Sequence, residues 1–491
     1  NYTNFATNPN IYTLCKIYSD GFTSAQAEQA YKNERIRIGM TEESGEQEEQ
    51  PVRDFDKPVL RFLVTSDIQP KDAEKMGNQR IKELIRQSYE RANNDPEYNE
   101  IDAILIAGDL SETGSREDTT LFYNALTEYL DKEETQVLAI MGNHENYDLR
   151  WETGVDSLSG EQRNEANAYI AENSRKLFEE FYGEFVEYDT GETYDYLNLH
   201  VKINGYHFIG ISSDWENRWA YDYNSDTVSW LRTELAKAVA EDPSKPVFVF
   251  GHVGEVDTIA GTESALGNDK GSNSIGSVLQ QYPQVVFFSG HSHYPIASEG
   301  SVHQKYYTSL GTGSITDATT IKVNGQSIRY TGTTDVDMYY MIEVDQYGNV
   351  RIKTYDISEN EQVWKEIDLS APFNSTKNFT YTEGRFDEMD VIFDADAQLE
   401  ITGLTKSLVS FQFPQANPYL ENGLSAALYY ATVEDVSGNI VASAYMGDDW
   451  FNYTNDKNVT GTLGGLSPDT EYTLKVYGVN SKYTKVLNDG D

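Results

Sequence analysis

The sequence predicts an α/β chain, in which a large unit of buried strands alternating with helices precedes a smaller all-β unit. Two observations carry this. From Pro58 onward, short apolar runs closed by Gly, Asp, Asn or His alternate with segments of helical periodicity, the pattern of strands and helices stacked in layers. From about Asp390 the helical period disappears, and short alternating runs follow one another between turn residues, as in a β-sandwich. At 491 residues the chain is about three times the ~150-residue domain prior, so one large unit and one or two smaller ones are expected.

Taken in order, residues 1–57 read as an N-terminal extension and acidic linker. Residues 11–18 suit a strand and 24–35 a helix, while 41–50 are nearly all acidic or amide side chains, too polar to bury anything. The large unit is expected over 58–372. Its first strand, Val59-Leu60-Arg61-Phe62-Leu63-Val64, ends in Thr65-Ser66-Asp67-Ile68-Gln69, and Ala103-Ile104-Leu105-Ile106 ends in Ala107-Gly108-Asp109. Val137-Leu138-Ala139-Ile140 runs into Met141-Gly142-Asn143-His144-Glu145. Val247-Phe248-Val249-Phe250 leads to Gly251-His252, and Val285-Val286-Phe287-Phe288 to Ser289-Gly290-His291-Ser292-His293. Helices are predicted over 72–93, 118–131, 161–182 and 226–241. Residues 146–195 are too many for a simple connection and read as an insertion at the rim of a site. Strands 196–203 and 206–213 form a hairpin about Asn204-Gly205. A strand over 305–309 and a hairpin of 338–344 with 350–356 close the unit, and 373–389 form a connector.

The C-terminal unit, 390–491, offers strands at 398–401, 410–413, 426–433, 440–445, 460–463 and 472–479. Its run Leu466-Ser467-Pro468-Asp469-Thr470-Glu471-Tyr472 resembles the fibronectin type III signature, with Tyr472 as the tyrosine-corner residue.

Composition narrows the function. With 80 acidic against 38 basic side chains the formal charge is -42, which opposes tight nucleic-acid binding. The single Cys15 excludes an internal disulfide framework, and no apolar run approaches the ~20 residues of a membrane span. An acidic, Tyr- and Thr-rich, Cys-poor chain that begins at Asn1 is expected to be a processed bacterial protein, secreted or at the cell surface. The C-terminal unit would then make cell-surface contacts.

Five strand tips therefore carry polar cargo to the place where open α/β sheets bind their ligands. Asp67, Asp109, Asn143, His252, His291 and His293 together supply carboxylates, an amide oxygen and imidazoles, the mixture that divalent transition ions take up. Two such ions about 3.5 to 4 Å apart can clamp the attacking and leaving oxygens of a displacement at phosphorus.

At these residues, over about 58–360, the sequence resembles the calcineurin-like metallophosphoesterase superfamily. Its pattern D-x-H, G-D, G-N-H-E/D, G-H and G-H-x-H appears here as Asp67-Ile68-Gln69, Gly108-Asp109, Gly142-Asn143-His144-Glu145, Gly251-His252 and Gly290-His291-Ser292-His293. The resemblance implies a layered β-sandwich flanked by helices, of the α/β or α+β class. It implies two divalent ions, Mn, Fe or Zn, and hydrolysis of a phosphomonoester or phosphodiester substrate by a metal-bound hydroxide. By the family pattern Asp67, Asp109 and His293 hold the first ion, and Asp109, Asn143, His252 and His291 the second, with Asp109 bridging. His144 contacts the phosphoryl group or protonates the leaving oxygen.

Gln69 departs from that pattern. Where the family has His, the first ion gains at most a neutral amide oxygen, and a harder donor shifts preference toward Mn or Fe(II), or even Mg or Ca. An alternative follows: a surface binding protein that keeps the phosphoesterase fold but is catalytically weak or idle. Of the seven histidines, His200, His207 and His303 fall outside the blocks and read as surface or hairpin residues. Glu145 is expected to orient its neighbours. Glu255 and Asp257 read as solvated loop carboxylates, Arg218 between Trp215 and Trp219 as an exposed structural residue, and Asn146, Tyr147 and Asp148 as rim positions within reach of a substrate.

Overall fold

The computed structural model describes residues 52–69, 76–192, 194–213, 223–262, 274–318, 321–323, 326–328, 336–448, 451, 453 and 457–480, all within the second of the chain's two units, Val52–Asp491. The elements expected over 1–51 and the loop carrying Trp215, Arg218 and Trp219 lie outside the described residues.

The first strands follow the apolar runs. β1 (Pro58–Thr65), β2 (Ala103–Ile106) and β3 (Gln136–Ala139) pair in parallel, with Leu63 opposite Ile104 and Ile104 opposite Val137. Between them run α1 (Met76–Asn93) and α2 (Arg116–Thr127). α1 buries Ile81, Leu84 and Ile85. α2 begins two residues before 118 because Ser115 Oγ caps it, accepting from Asp118 N at 3.2 Å. The insertion after β3 holds α3 (Tyr147–Thr153) and the long α4 (Gly160–Tyr182). β4 (Leu199–Ile203) and β5 (Tyr206–Ile211) form the hairpin about Asn204 and Gly205. α5 (Ser225–Glu241), β6 (Val247–Gly251), a short α6 (Ile275–Leu279) and β7 (Val285–Ser289) follow.

The strand expected over 305–309 is instead the junction of two, β8 (Val302–Gln304) and β9 (Thr308–Gly311). A small hairpin of β10 (Ile321–Val323) and β11 (Gln326–Ile328) comes next, then β12 (Met338–Asp345), β13 (Val350–Asp356) and β14 (Glu361–Leu369). β14 was not anticipated, since its charged residues Lys365, Glu366 and Asp368 hide the alternation of a half-buried edge strand.

These strands build two mixed six-stranded sheets, ordered β14-β13-β12-β1-β2-β3 and β4-β5-β6-β7-β9-β8. They pack face to face through aromatic side chains. Phe62 of β1 meets Phe208 of β5 edge-on at 5.0 Å and Phe248 of β6 at 4.8 Å, arrangements favoured by the ring quadrupole. α5 covers the outer face of the second sheet with Val228, Leu231 and Leu235 against Ile209, Ile211 and Val249. Residues 52–57 lie against the first sheet, where Asp54 N donates to Asp345 Oδ2 at 2.9 Å and Arg351 stacks on Phe55.

The C-terminal strands are β15 (Glu400–Leu404), β16 (Leu408–Pro414), β17 (Ala426–Glu434), β18 (Ile440–Gly447), β19 (Asn458–Gly464) and β20 (Thr473–Asn480). They form two antiparallel sheets, β15-β16-β19 and β18-β17-β20, around Phe411, Phe413, Tyr429 and Val433. Trp364 of β14 meets this sandwich at Tyr419, with ring centroids 5.6 Å apart. Among the described residues no helix is long and apolar enough to cross a membrane.

Candidate metal centre

β1, β2, β3, β6 and β7 end on the same side of the two sheets, so their tips converge. The chain must turn sharply there, and Asp67 (φ 51), Asp109 (φ 54), His291 (φ 65) and His293 (φ 50) all take the left-handed conformation. Asp and His tolerate that region better than most residues, and such strain clusters at functional sites. Two glycines permit the close approach. A Cβ on Gly142 would run into Asp109 Oδ1, and one on Gly290 into Asp67 Oδ2.

Asp67, Gln69, Asp109, Asn143 and His252 are buried almost completely, while His144, His291 and His293 keep partial exposure. His252 stands at the centre. Its Nδ1 meets the Ala107 carbonyl at 2.8 Å, which fixes the proton on Nδ1 and turns Nε2 toward Asp109 Oδ2 (3.2 Å), Asn143 Oδ1 (3.1 Å) and Asp67 Oδ1 (4.0 Å). His291 Nδ1 lies 3.3 Å from the same Nε2, and the His291 backbone N–H donates to Asp67 Oδ2 at 3.0 Å. His293 Nε2 reaches Asp67 Oδ1 at 3.1 Å. Asp109, His252 and His291 each offer a ligand atom, all within 4.8 Å of one another.

Supporting contacts set the angles. Asn143 Nδ2 donates to Tyr147 Oη at 2.7 Å, leaving Oδ1 toward the histidines. Glu145 accepts from four backbone amides: Asp109 (3.1 Å) and Gly142 (2.5 Å) on Oε2, Leu110 (2.8 Å) and Ser111 (3.1 Å) on Oε1. His144 N donates to Asp109 Oδ1 at 2.8 Å, its Nδ1 meets the Glu112 carbonyl at 2.7 Å, and its Nε2 stays 3.9 Å from Asp109 Oδ2. Gln69 sits in the same cluster, but its Nε2 donates to Asp109 Oδ2, so in this orientation its nitrogen, not its oxygen, faces the carboxylates.

The cluster's charges compete. Burial opposes ionisation of Asp109, yet the His252 and His144 rings outweigh it and hold the carboxyl well below the usual range. Burial also opposes protonation of His252 and His293. Asp109 and Asp67 nevertheless push His252 up to about 9, and Asp67 with Asp317 pushes His293 up to about 10. His291, desolvated within the cleft and facing the His252 ring, falls to about 3. The cleft thus demands positive charge beside its carboxylates, a demand that divalent cations meet.

Two participants escaped the sequence. Asp317, on the segment after β9, places Oδ1 2.6 Å from His293 Nδ1, and the Glu112 carbonyl holds His144; neither belongs to a motif. Glu255, expected in solvent, is buried against Gly276 of α6, where no Cβ blocks its carboxylate, whereas Asp257 is exposed. His200 and His207 are bonded to each other at 2.9 Å and flanked by Glu234 and Glu241 of α5, and His303 is buried in β8. On the rim Asn146 and Tyr147 are buried and Asp148 is exposed.

Residues 60–295 match the family model of the calcineurin-like phosphoesterases. These residues are a calcineurin-like phosphoesterase domain. The first sheet extends past that match, since β12 to β14 complete it. The phosphoesterase domain is a metal-dependent hydrolase of phosphoesters, and its family implies divalent ions. No curated protein matches the chain. Among solved structures it is similar to GAP50, described as the anchor in the inner membrane complex of Plasmodium, at 13% identity over 66% of this chain and 91% of that one (TM-score 0.36). It is similar to the purple acid phosphatase PPD1 from yellow lupin (Lupinus luteus) seeds at 14% identity, over 65% of this chain but only 55% of that one (TM-score 0.41). A third, PhoD, shares 11% identity over 64% of this chain and 69% of its own (TM-score 0.37).

Proposed function

We propose that the phosphoesterase domain hydrolyses phosphomonoesters or phosphodiesters with two divalent ions. Asp67, Asp109 and His293 would hold the first, and Asp109, Asn143, His252 and His291 the second. The observation that carries this reading is the convergence of Asp109, His252 and His291 within 4.8 Å, bordered by Asp67 and Asn143 oxygens within 4.0 Å of the same imidazole nitrogen. The donors are carboxylate oxygens, an amide oxygen and neutral-capable imidazoles, which suit Mn, Fe or Zn. Bound ions would polarise a phosphoryl oxygen and lower the pKa of water to about 7.

The chain's own residues do the rest. His144 carries its ring proton on Nδ1 toward Glu112, so Nε2 is the nitrogen presented to the cleft. With a second proton on Nε2 the ring can donate to a phosphoryl oxygen or pass that proton to the leaving oxygen, returning to the neutral Nδ1–H form. Tyr147 and Ala107 orient Asn143 and His252, and Glu145 holds the loop that carries Asp109.

Metal analysis with turnover of p-nitrophenyl phosphate tests this reading. About two equivalents of metal per chain, with turnover abolished in Asn143→Ala, is the expected result; one equivalent or none, and no turnover across a metal screen, would refute it. Gln69 favours a second reading, an idle binding protein, because its amide already occupies Asp109 Oδ2. Parallel assays of mono- and bis-p-nitrophenyl phosphate separate monoesterase from diesterase.

For the C-terminal sandwich a fibronectin type III-like identity is supported by its strand order and by Tyr472 Oη, which accepts from Ser467 N at 3.0 Å as a tyrosine corner does. A secreted or cell-surface location is supported by the acidic, Cys-poor composition. Fractionation of the source cells would test it.

A further inference from the structure

We infer that Asp317 is a positioning residue for the first ion, making up through His293 for the imidazole that position 69 does not supply; this rests on the two-ion reading above. In that reading the first ion draws on Asp67, Asp109 and His293, while Gln69 turns its nitrogen to Asp109. The one remaining imidazole must then be held well. His293 sits on a left-handed turn (φ 50) and is partly exposed, so its own backbone does little to fix the ring.

Asp317 supplies the fixing contact. Its Oδ1 lies 2.6 Å from His293 Nδ1, which keeps the proton on that nitrogen and directs Nε2 toward Asp67 Oδ1 at 3.1 Å. A carboxylate behind a ligating imidazole both orients the ring and strengthens it as a donor. His252 is held instead by a neutral carbonyl, that of Ala107, and a charged acceptor makes the stronger hydrogen bond. The support given to the first ion's histidine is thus the charged kind.

The same short segment also grips a second first-ion donor, Asp67. Thr312 Oγ1 bonds Ser66 Oγ at 2.6 Å, beside Asp67, and Ser314 Oγ donates to the Asp67 carbonyl at 2.8 Å. Ser314 Oγ in turn accepts from Thr316 N at 3.1 Å and Asp317 N at 3.3 Å. Residues 312–317 therefore tie Asp67 and His293 into one frame.

The test is calorimetric titration of Mn2+ into the metal-free full chain, beside the melting temperature without metal. Asp317→Ala should weaken one equivalent about 10- to 100-fold and leave any other within about twofold, with only a small fall in the metal-free melting temperature from the lost contact to His293. Asp317→Asn, which still accepts from Nδ1–H but without the charge, should recover only part of the affinity. Adding Gln69→His to Asp317→Ala should also restore the weakened equivalent. Wild-type titration of Asp317→Ala, or a fall in all equivalents together with a large loss of melting temperature, would overturn the inference. The wild-type stoichiometry judges the two-ion reading separately: a single equivalent sinks that reading, and whether Asp317→Ala weakens it decides the role of Asp317.

Discussion

Glu145→Ala should destabilise the phosphoesterase domain more than any ordinary single substitution. In the wild type the Glu145 carboxylate is buried and accepts from the amides of Asp109, Leu110, Ser111 and Gly142. Alanine leaves those four donors without that partner, and each orphaned buried amide costs about 1–3 kcal/mol. Two effects offset the sum. Water can enter the vacated space, and a buried carboxylate beside Asp109 is removed, whose burial and like charge push its own pKa up to about 7. A net loss of about 3–5 kcal/mol remains, in the range reserved for broken buried networks. For a domain of this size that lowers the melting temperature by roughly 5–8 °C. Calorimetry of the metal-free protein measures it, and Glu145→Gln, which retains one acceptor oxygen, should lose less. A melting temperature within about 2 °C of wild type for Glu145→Ala would refute the claim that this side chain holds the Asp109 loop.

Other outcomes follow from the same contacts. His144→Ala should keep its full metal content while kcat falls by about 10²–10⁴-fold, the range of general acid–base catalysis; loss of metal in that variant would contradict the role given to His144. Because His252 and His293 are raised to about 9 and about 10, both rings carry protons at pH 7.5 before metal arrives. Metal binding should then release about two protons per chain at that pH, read as a dependence of the binding enthalpy on buffer ionisation, and no buffer dependence would contradict it. Asp356, remote from the centre, is raised to about 7 by burial and the Asp337 charge. The folded protein therefore binds the extra proton, so its stabilising contribution is complete below about pH 4 and disappears as pH rises through about 7. Asp356→Asn, which keeps an acceptor for Glu359 N, should raise the melting temperature relative to wild type at pH 8 and leave it nearly unchanged at pH 4; equal shifts at both would count against the linkage.

Much of the domain is legible in the sequence. Strand tips ending in Asp67, Asp109, Asn143, His252 and His291 follow from apolar runs that stop abruptly, a local signal, and the Asn204-Gly205 hairpin follows from turn chemistry. α2 starts early because a single cap decided it, and β14 was missed because its charged edge residues break the pattern that alternation relies on. The burial of Glu255 depended on a missing Cβ at Gly276, far along the chain, and pattern cannot report such a neighbour.

Residue order alone determined which side chains the strand tips would carry, because hydrophobic periodicity and glycine turns are written over a few consecutive positions. Tertiary structure decided what stands behind those side chains: Asp317 against His293, the Glu112 carbonyl against His144, Tyr147 against Asn143, and the amide of Gln69 against Asp109. It also paired His200 with His207 behind α5. Several of these contacts join segments remote in sequence, and even the nearby ones depend on rotamers and loop paths, which packing fixes and periodicity does not record.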